Sequence, residues 1–94
     1  MITAPRRELY DAVRRARLLK VPTVTLRSGD GIELDVEALR LRVRERVEAR
    51  CEEPIEVAVD LPTLTQALRA CVASQIVTLT LEGGALRVSA GKVE

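Results

Sequence analysis

Apolar residues recur along the chain with two different periods, and each period predicts one kind of element. From Pro5 to Lys20 they fall at every third or fourth position, which predicts an amphipathic helix preceded by a short strand. Pro5 suits the first turn of a helix because its missing N–H costs no hydrogen bond there. Val21-Pro22 disfavours helical backbone and ends the segment. The apolar stripe of this helix consists of Leu9, Ala12, Val13, Ala16 and Leu19.

Four extended segments follow, in which apolar and polar residues alternate. Thr23–Arg27 and Ile32–Val36 flank Ser28-Gly29-Asp30-Gly31, which is typical of a tight turn and predicts a hairpin. The third segment is Leu39–Ala49, here called the arginine strand. It carries an arginine at every second position, namely Arg40, Arg42, Arg44 and Arg46.

The fourth segment, Ile55–Val59, is predicted to return alongside the arginine strand. A register that places Arg50 opposite Glu56 and Arg46 opposite Asp60 aligns the two apolar faces. The same register pairs opposite charges across the strands, which favours it by a fraction of a kcal/mol per pair, ~0.2–1.

A second helix is predicted to begin at Asp60, whose carboxylate is suited to the N-cap position. Its apolar stripe consists of Leu61, Leu64, Leu68 and Val72, and its polar face of Thr63, Gln66 and Arg69 is nearly neutral. The last two strands flank Gly83-Gly84, a pair that favours a two-residue turn with positive φ. The predicted order is strand, helix, four strands, helix, two strands, an α+β fold of two helices packed on antiparallel sheets.

The composition limits the classes of function. The chain has 94 residues, of which 47% are hydrophobic and 31% charged, and we predict one domain over residues 1–94. The net charge of +1 means that any electrostatic function depends on where the charges lie. There is no histidine, and the spacing of Cys51 and Cys71 matches no metal motif, so we predict no metal and no cofactor. No catalytic constellation of nucleophile, base or paired acids is evident, and we predict that the protein is not an enzyme.

The chain also lacks the signals of membrane insertion or secretion. No apolar run approaches the ~20 residues of a membrane span. The first residues, MITAPRREL, lack the apolar core of a signal peptide. We therefore expect a cytoplasmic protein without a membrane partner.

Four stretches, taken in their order and spacing, resemble one domain of a DNA sliding clamp such as the bacterial DNA polymerase III beta subunit. MITAPRRELYDAV is similar to the opening strand and first helix, and PIEVAVDLPTLTQAL to the strand that leads into the second helix. SGDGIELDVEALRLRV is similar to the hairpin whose acids, here Asp35 and Glu37, precede the fourth strand. VTLTLEGGALRVSAG is similar to the closing strands of such a domain.

The resemblance implies a ring of six such domains, with the helices lining the hole and the sheets outside. DNA would be held through its backbone, without base reading, and a single-domain chain would form the ring from six copies joined head to tail. Clamp domains usually have a further strand, which would begin at Gly91–Glu94 and lies beside the fourth strand of the neighbouring domain. The expected partners are duplex DNA, further copies of the chain, and a DNA polymerase or repair protein.

The first helix is the candidate DNA-binding element under this resemblance. Arg7 and Arg14 lie at the centre of its solvent face, and Arg15 and Arg17 extend the patch. A phosphate contact needs little more than a fixed positive charge at the right distance. A basic amphipathic helix is also common as a plain solvated surface, so both interpretations stay open.

The arginine strand would be the fourth strand, at the edge of the outer sheet. Its arginines Arg40, Arg42, Arg44 and Arg46 would form a solvated face paired with acids, a candidate interface with a subunit or partner, or a nucleic-acid contact. No aromatic residue lies in this strand, which disfavours a platform for stacked single-stranded bases.

Two functions follow. The first is a non-catalytic processivity or tethering factor whose single-domain protomers assemble, as a hexameric ring, around duplex DNA. The alternative is a protein-interaction module with a clamp-type fold and no ring, which binds a replication or repair protein through an open sheet edge.

Overall fold

The structure, a computed structural model, describes residues 1–38, 40–52, 54–71 and 74–90. Leu39, Val72 and Gly91–Glu94, which the sequence assigned to predicted elements, lie outside these ranges. The predicted order of elements is confirmed, with one additional two-residue strand. The elements are β1 (Ile2–Pro5), α1 (Arg6–Arg17), β2 (Thr23–Ser28), β3 (Ile32–Ala38), β4 (Leu41–Val47), β5 (Arg50–Cys51), β6 (Glu56–Asp60), α2 (Leu61–Ala70), β7 (Ile76–Glu82) and β8 (Ala85–Ala90).

Helix α1 is shorter at both ends than the predicted segment. Pro5 is the N-cap residue, with a φ of −64°, and its backbone still belongs to β1. After the helix, the N–H groups of Leu18, Leu19 and Lys20 each donate to a carbonyl three residues earlier, which tightens the last turn. Lys20 then adopts a left-handed φ of 57°, a conformation that ends a helix.

The first sheet contains four antiparallel strands in the order β4-β3-β2-β6. Strands β2 and β3 form the predicted hairpin, and its turn approaches β4 closely: a Cβ added to Gly31 would lie 2.9 Å from the carbonyl oxygen of Val47. Strand β4 pairs with β3 along its whole length, up to Ala38 opposite Leu41. The arginine strand is therefore an edge strand, as the resemblance implies.

The predicted pairing of the fourth extended segment with the arginine strand is wrong. Strand β6 lies beside β2, where Glu56 is opposite Arg27, while Arg46 faces β3 rather than Asp60. Arg50 belongs to β5 and pairs with β1. The alternation of apolar and polar residues shows which side chains share a face, but not which strand is the neighbour. Strand β2 also presents an apolar face to β6, and its Arg27 carries a charge opposite to that of Glu56. Pairing at β2 also makes β2 a central strand, which buries its apolar side chains more fully than an edge position would.

The second sheet has the strand order β5-β1-β7-β8, so the first strand of the chain is central in it. Ile2 of β1 lies opposite Leu79 of β7. Strands β7 and β8 form the predicted hairpin, in which Gly83 and Gly84 have φ values of 56° and 83°. Glycine adopts this left-handed conformation without strain from a Cβ.

Helix α2 begins as predicted, with Asp60 at the N-cap. The carboxylate accepts hydrogen bonds from the hydroxyl of Thr63 at 2.6 Å and from its backbone N–H at 3.0 Å. These two bonds, the hydroxyl bond first, lower the pKa of Asp60.

One cluster of buried apolar side chains joins both sheets and both helices. Leu9 of α1, Leu61 and Leu68 of α2 and Leu34 of β3 are all at most 1% exposed. The helices pack against each other and against the inner faces of the sheets. One side of each helix is thereby left open to solvent.

Candidate nucleic-acid interface

Helix α1 presents a basic surface because its apolar stripe is buried. Its sequence RRELYDAVRRAR holds five arginines and two acids, and every charged residue in its last turn is basic. The predicted site residues Arg7, Arg14, Arg15 and Arg17 are all exposed. Cations in the last turn also interact favourably with the carbonyl end of the helix. The structure thus places all four predicted arginines on one solvent-facing helix.

Tyr10 supports two of the arginines on this surface. The guanidinium carbon of Arg14 lies 5.8 Å from the centre of the Tyr10 ring, and that of Arg6 lies 5.0 Å from it. Both distances are within the range of cation–π attraction, which holds a guanidinium against the ring face. Neither Tyr10 nor Arg6 is among the site residues predicted from the sequence. Their spacing of four residues, which brings side chains together on a helix, is the signal that identifies them.

Arg15 differs from the other predicted arginines because it is engaged by an acid. Its Nε donates to Oε1 of Glu45 at 2.6 Å. Glu45 occupies a position of β4 that faces α1, between the inward-facing Val43 and Val47. Its side chain is 21% exposed, and its second oxygen, Oε2, is buried without a hydrogen-bond partner among the described residues. The positive charge of Arg15 is therefore partly neutralised before any ligand arrives.

The beginning of α1 lies beside the end of α2, and this contact adds a further cation. Arg6 Nε donates to the backbone carbonyl of Leu68 at 2.9 Å. The next residue, Arg69, is the basic residue of the last turn of α2 and is exposed. Within the described part of the chain, Arg7, Arg14, Arg17 and Arg69 have no ion-pair partner. The two helices thus share one exposed surface on which four guanidinium groups remain available to an anion.

The outer face of the arginine strand differs from the surface of α1, because two of its arginines form ion pairs with acids. Arg42 donates from Nε to Oδ1 of Asp35 at 3.0 Å and from Nη2 to Oδ2 at 2.6 Å. Arg27 of β2 donates to the same carboxylate at 2.9 Å. Arg44 Nε lies 3.7 Å from Asp35 and 3.8 Å from Glu33. Arg42 and Arg44 are therefore bound within the sheet.

Asp35 is the centre of this charge cluster. Its side chain is only 6% exposed, and hydrogen bonds from Arg42 and then Arg27 hold its pKa well below the ordinary value. The same contacts raise the pKa of Arg42 and of Arg27, so these groups stay charged. Arg40 and Arg46, at the two ends of the strand, are exposed and have no ion-pair partner in the described ranges.

The comparisons identify the fold. No protein-family model matches the chain, and no curated protein matches it. The DNA polymerase sliding clamp of Pseudomonas aeruginosa superposes with a TM-score of 0.85 over 99% of this chain, at 16% sequence identity. Pol III beta of Caulobacter crescentus gives 0.83 over 99% at 18% identity, and the DNA polymerase beta subunit of Streptococcus pyogenes gives 0.79 over 96% at 18%. The chain has the fold of one sliding-clamp domain.

This result confirms the resemblance at the level of fold. The chain spans only 27–28% of the length of those three clamp chains. Within the ranges that the structure describes, no helix is long and apolar enough to cross a membrane. The same ranges contain no group of three or more histidine, cysteine and acidic side chains placed to hold a metal ion.

Proposed function

We propose that the protein is a non-catalytic, sequence-independent DNA-tethering factor, whose copies assemble around duplex DNA with α1 facing the phosphates. The observation that carries the proposal is the exposed surface on which Arg7, Arg14 and Arg17 have no acid partner among the described residues. The clamp-domain fold supports the proposal, because clamp domains place their helices toward the DNA.

One such helix binds DNA weakly. The chain carries a net charge of only +1, and two acids lie among the arginines of α1. Non-specific binding by a few phosphate contacts is weak and strongly salt-dependent. An assembly repeats the surface in every copy and adds the contacts together. Weak individual contacts also allow the assembly to slide, since no single contact fixes its position.

The test of DNA binding is the double variant Arg7→Ala/Arg14→Ala. The affinity for a labelled linear duplex is measured by fluorescence anisotropy at several salt concentrations. Each lost phosphate contact makes the slope of log K against log salt shallower by about 0.9, so we expect a reduction of about 1.8 for each copy that contacts the duplex. The matched control is Arg50→Ala/Arg87→Ala, which removes the same charge from the second sheet and should leave the slope nearly unchanged. Equal slopes for wild type and the helix variant would show that α1 does not contact DNA.

The test of assembly is the native mass over a range of protein concentrations, by sedimentation or light scattering. Six copies support a closed ring, which should also be retained on circular DNA and lost from linear ends. A monomer at every concentration contradicts the assembly.

The open edge of β8 favours a second candidate function. In the described residues, β8 is the last strand of its sheet and has no partner on its outer side. An extended segment of a replication or repair protein could add to such an edge through backbone hydrogen bonds. Monomeric protein that binds a partner protein but not DNA would support this candidate.

A further inference from the structure

The chain has a single aromatic residue, Tyr10, and the fold places it on the basic surface of α1. Tyr10 is half-buried, and its ring packs against the apolar cluster that joins the helices and the sheets. This packing restricts the ring, because side chains in a close-packed interior sit in defined rotamers. Tyr10 is therefore a fixed group among long arginine side chains that are otherwise free to move.

Two arginines lie against this ring, one helical turn before it and one helical turn after it. Arg6 precedes Tyr10 by four residues and Arg14 follows it by four, so helical geometry brings the three side chains together. The guanidinium carbons lie 5.0 Å and 5.8 Å from the centre of the ring. A planar guanidinium stacks well on an aromatic face, so the ring favours a defined orientation of each arginine.

Arg6 is held at a second point, which separates its role from that of Arg14. Its Nε donates to the backbone carbonyl of Leu68, in the last turn of α2, at 2.9 Å. Arg6 is half-buried there, so its guanidinium serves the contact between the two helices. Arg14 is exposed and has no ion-pair partner within the part of the chain that the structure describes. The ring of Tyr10 therefore orients Arg14 while leaving its guanidinium accessible to an anion.

This ring contact distinguishes Arg14 from the other unpaired arginines of α1. Arg7 and Arg17 are exposed as well, but in the described ranges neither lies within cation–π distance of the ring. A free arginine side chain loses rotamer freedom when it binds a phosphate, and this loss lowers the affinity. An arginine that is already held in place loses less. Arg14 should therefore contribute more to DNA affinity than Arg7 or Arg17 does.

We infer that Tyr10 is a positioning residue for DNA binding, which acts through Arg14. The core holds the ring, and the ring holds the guanidinium of Arg14 ready for a phosphate. Tyr10 contributes no cation of its own, so it strengthens an existing contact without adding another. The inference rests on the DNA binding in the proposed function and names the residue that prepares the site for it.

The first test removes the ring and keeps the apolar bulk. Tyr10→Leu retains an apolar side chain with high helix propensity, whereas Tyr10→Phe retains the ring and removes the hydroxyl. We expect Tyr10→Leu to weaken binding of a labelled duplex about two- to tenfold for each copy that contacts it. The slope of log K against log salt should stay nearly unchanged, because no cation is lost. Tyr10→Phe should bind like wild type, and anisotropy titrations over a salt series measure all three proteins.

A double-variant cycle tests whether Tyr10 acts through Arg14. In an Arg14→Ala background the ring has no exposed guanidinium to orient, so Tyr10→Leu should have little further effect on the affinity. Arg17→Ala provides the matched background, because it removes the same charge from a residue that does not contact the ring. There Tyr10→Leu should still weaken binding by its full factor. A merely structural role of Tyr10 predicts equal losses in the two backgrounds.

Several results overturn the inference and leave DNA binding by α1 standing. One is wild-type affinity for folded Tyr10→Leu, and another is an equal loss in the Arg14→Ala and Arg17→Ala backgrounds. A third is binding by Tyr10→Phe as weak as that of Tyr10→Leu, which would assign the effect to the hydroxyl instead of the ring. Wild-type protein that does not bind the duplex at any salt concentration refutes the proposed function and the inference together.

Circular dichroism and urea unfolding show whether each variant is folded. If Tyr10→Leu does not fold, Tyr10→Met replaces it in the same cycle, because an unbranched, flexible side chain fills an irregular space. The expected losses and the outcomes that overturn the inference are the same for this variant. Arg14→Ala and Arg17→Ala change exposed side chains, so the fold should tolerate both.

Discussion

Glu45 holds one of the exposed arginines of α1, so its replacement gives a sharp test of the proposed contact between α1 and DNA. The carboxylate interrupts the apolar side of β4 and binds Arg15 at 2.6 Å. Glu45→Gln keeps the size of the side chain and removes its charge. The Arg15 side chain is 58% exposed, so without the ion pair it can turn toward solvent and reach a phosphate. The charge left unpaired is that of the exposed Arg15 and not a buried one, so the change costs about 0.2–1 kcal/mol of stability, too little to unfold the domain.

The expected gain follows from counterion release. One additional phosphate contact makes the slope of log K against log salt steeper by about 0.9. Between 50 mM and 200 mM salt, the variant should therefore lose about three- to fourfold more affinity than wild type for each copy that contacts the duplex. At low salt it should bind the duplex more tightly than wild type.

Anisotropy titrations with one labelled duplex at four or more salt concentrations measure both quantities. Glu82→Gln is the matched control, because it makes the same charge change on β7, where its neighbour Arg87 is 3.7 Å away. A steeper slope for Glu45→Gln alone supports the role of Arg15. If both variants show the wild-type slope, Arg15 does not reach DNA, and if both are steeper by the same amount, only net charge matters.

Three further predictions concern stability, each measured by urea unfolding. Leu68→Ala should destabilise the domain by about 2–5 kcal/mol, because the side chain is fully buried. Gly31→Ala should be destabilising because its Cβ would lie 2.9 Å from a β4 carbonyl oxygen, whereas Gly29→Ala, with nothing within 4 Å, should be neutral or slightly stabilising; equal effects would refute the close approach. Asp35→Asn should be less stable than wild type at pH 7, and the difference should shrink at acid pH. The lowered pKa of Asp35 means that its contribution is present above the unfolded-state pKa, about 3.9, and is lost as the pH falls through the folded-state pKa. A difference that stays constant from pH 7 to pH 3 would contradict this reasoning.

Local sequence patterns predicted the elements better than their partners. The apolar period predicted α1, and the carboxylate of Asp60 predicted where α2 begins, because both signals lie within a few neighbouring residues. The pairing of β6 was wrong because strands with the same alternation fit each other equally well. Only the three-dimensional arrangement shows that Glu56 meets Arg27 across the sheet.

In the candidate site too, local features were predictable from the sequence and contacts between distant residues were not. The exposure of Arg7, Arg14 and Arg17 follows from helical geometry alone, and the structure agrees with it. The neutralisation of Arg15 depends on Glu45, thirty residues away on another element, and no local pattern reports it. The support that Tyr10 gives to Arg14 was predictable in principle, since the two residues lie one helical turn apart.

The central position of β1 determines the order in which the two sheets can be completed during synthesis. All four strands of the first sheet lie between residues 23 and 60, a stretch that leaves the ribosome before β7 is made. The second sheet needs Ile2 to meet Leu79, so β1 lacks this partner until β7 has been made. Long-range pairing of this kind slows folding and exposes an unpaired strand to wrong partners in the meantime. Nascent chains released before β7 should therefore hold an ordered first sheet and an unpaired β1, a state in which proteases and chaperones would reach Ile2 first.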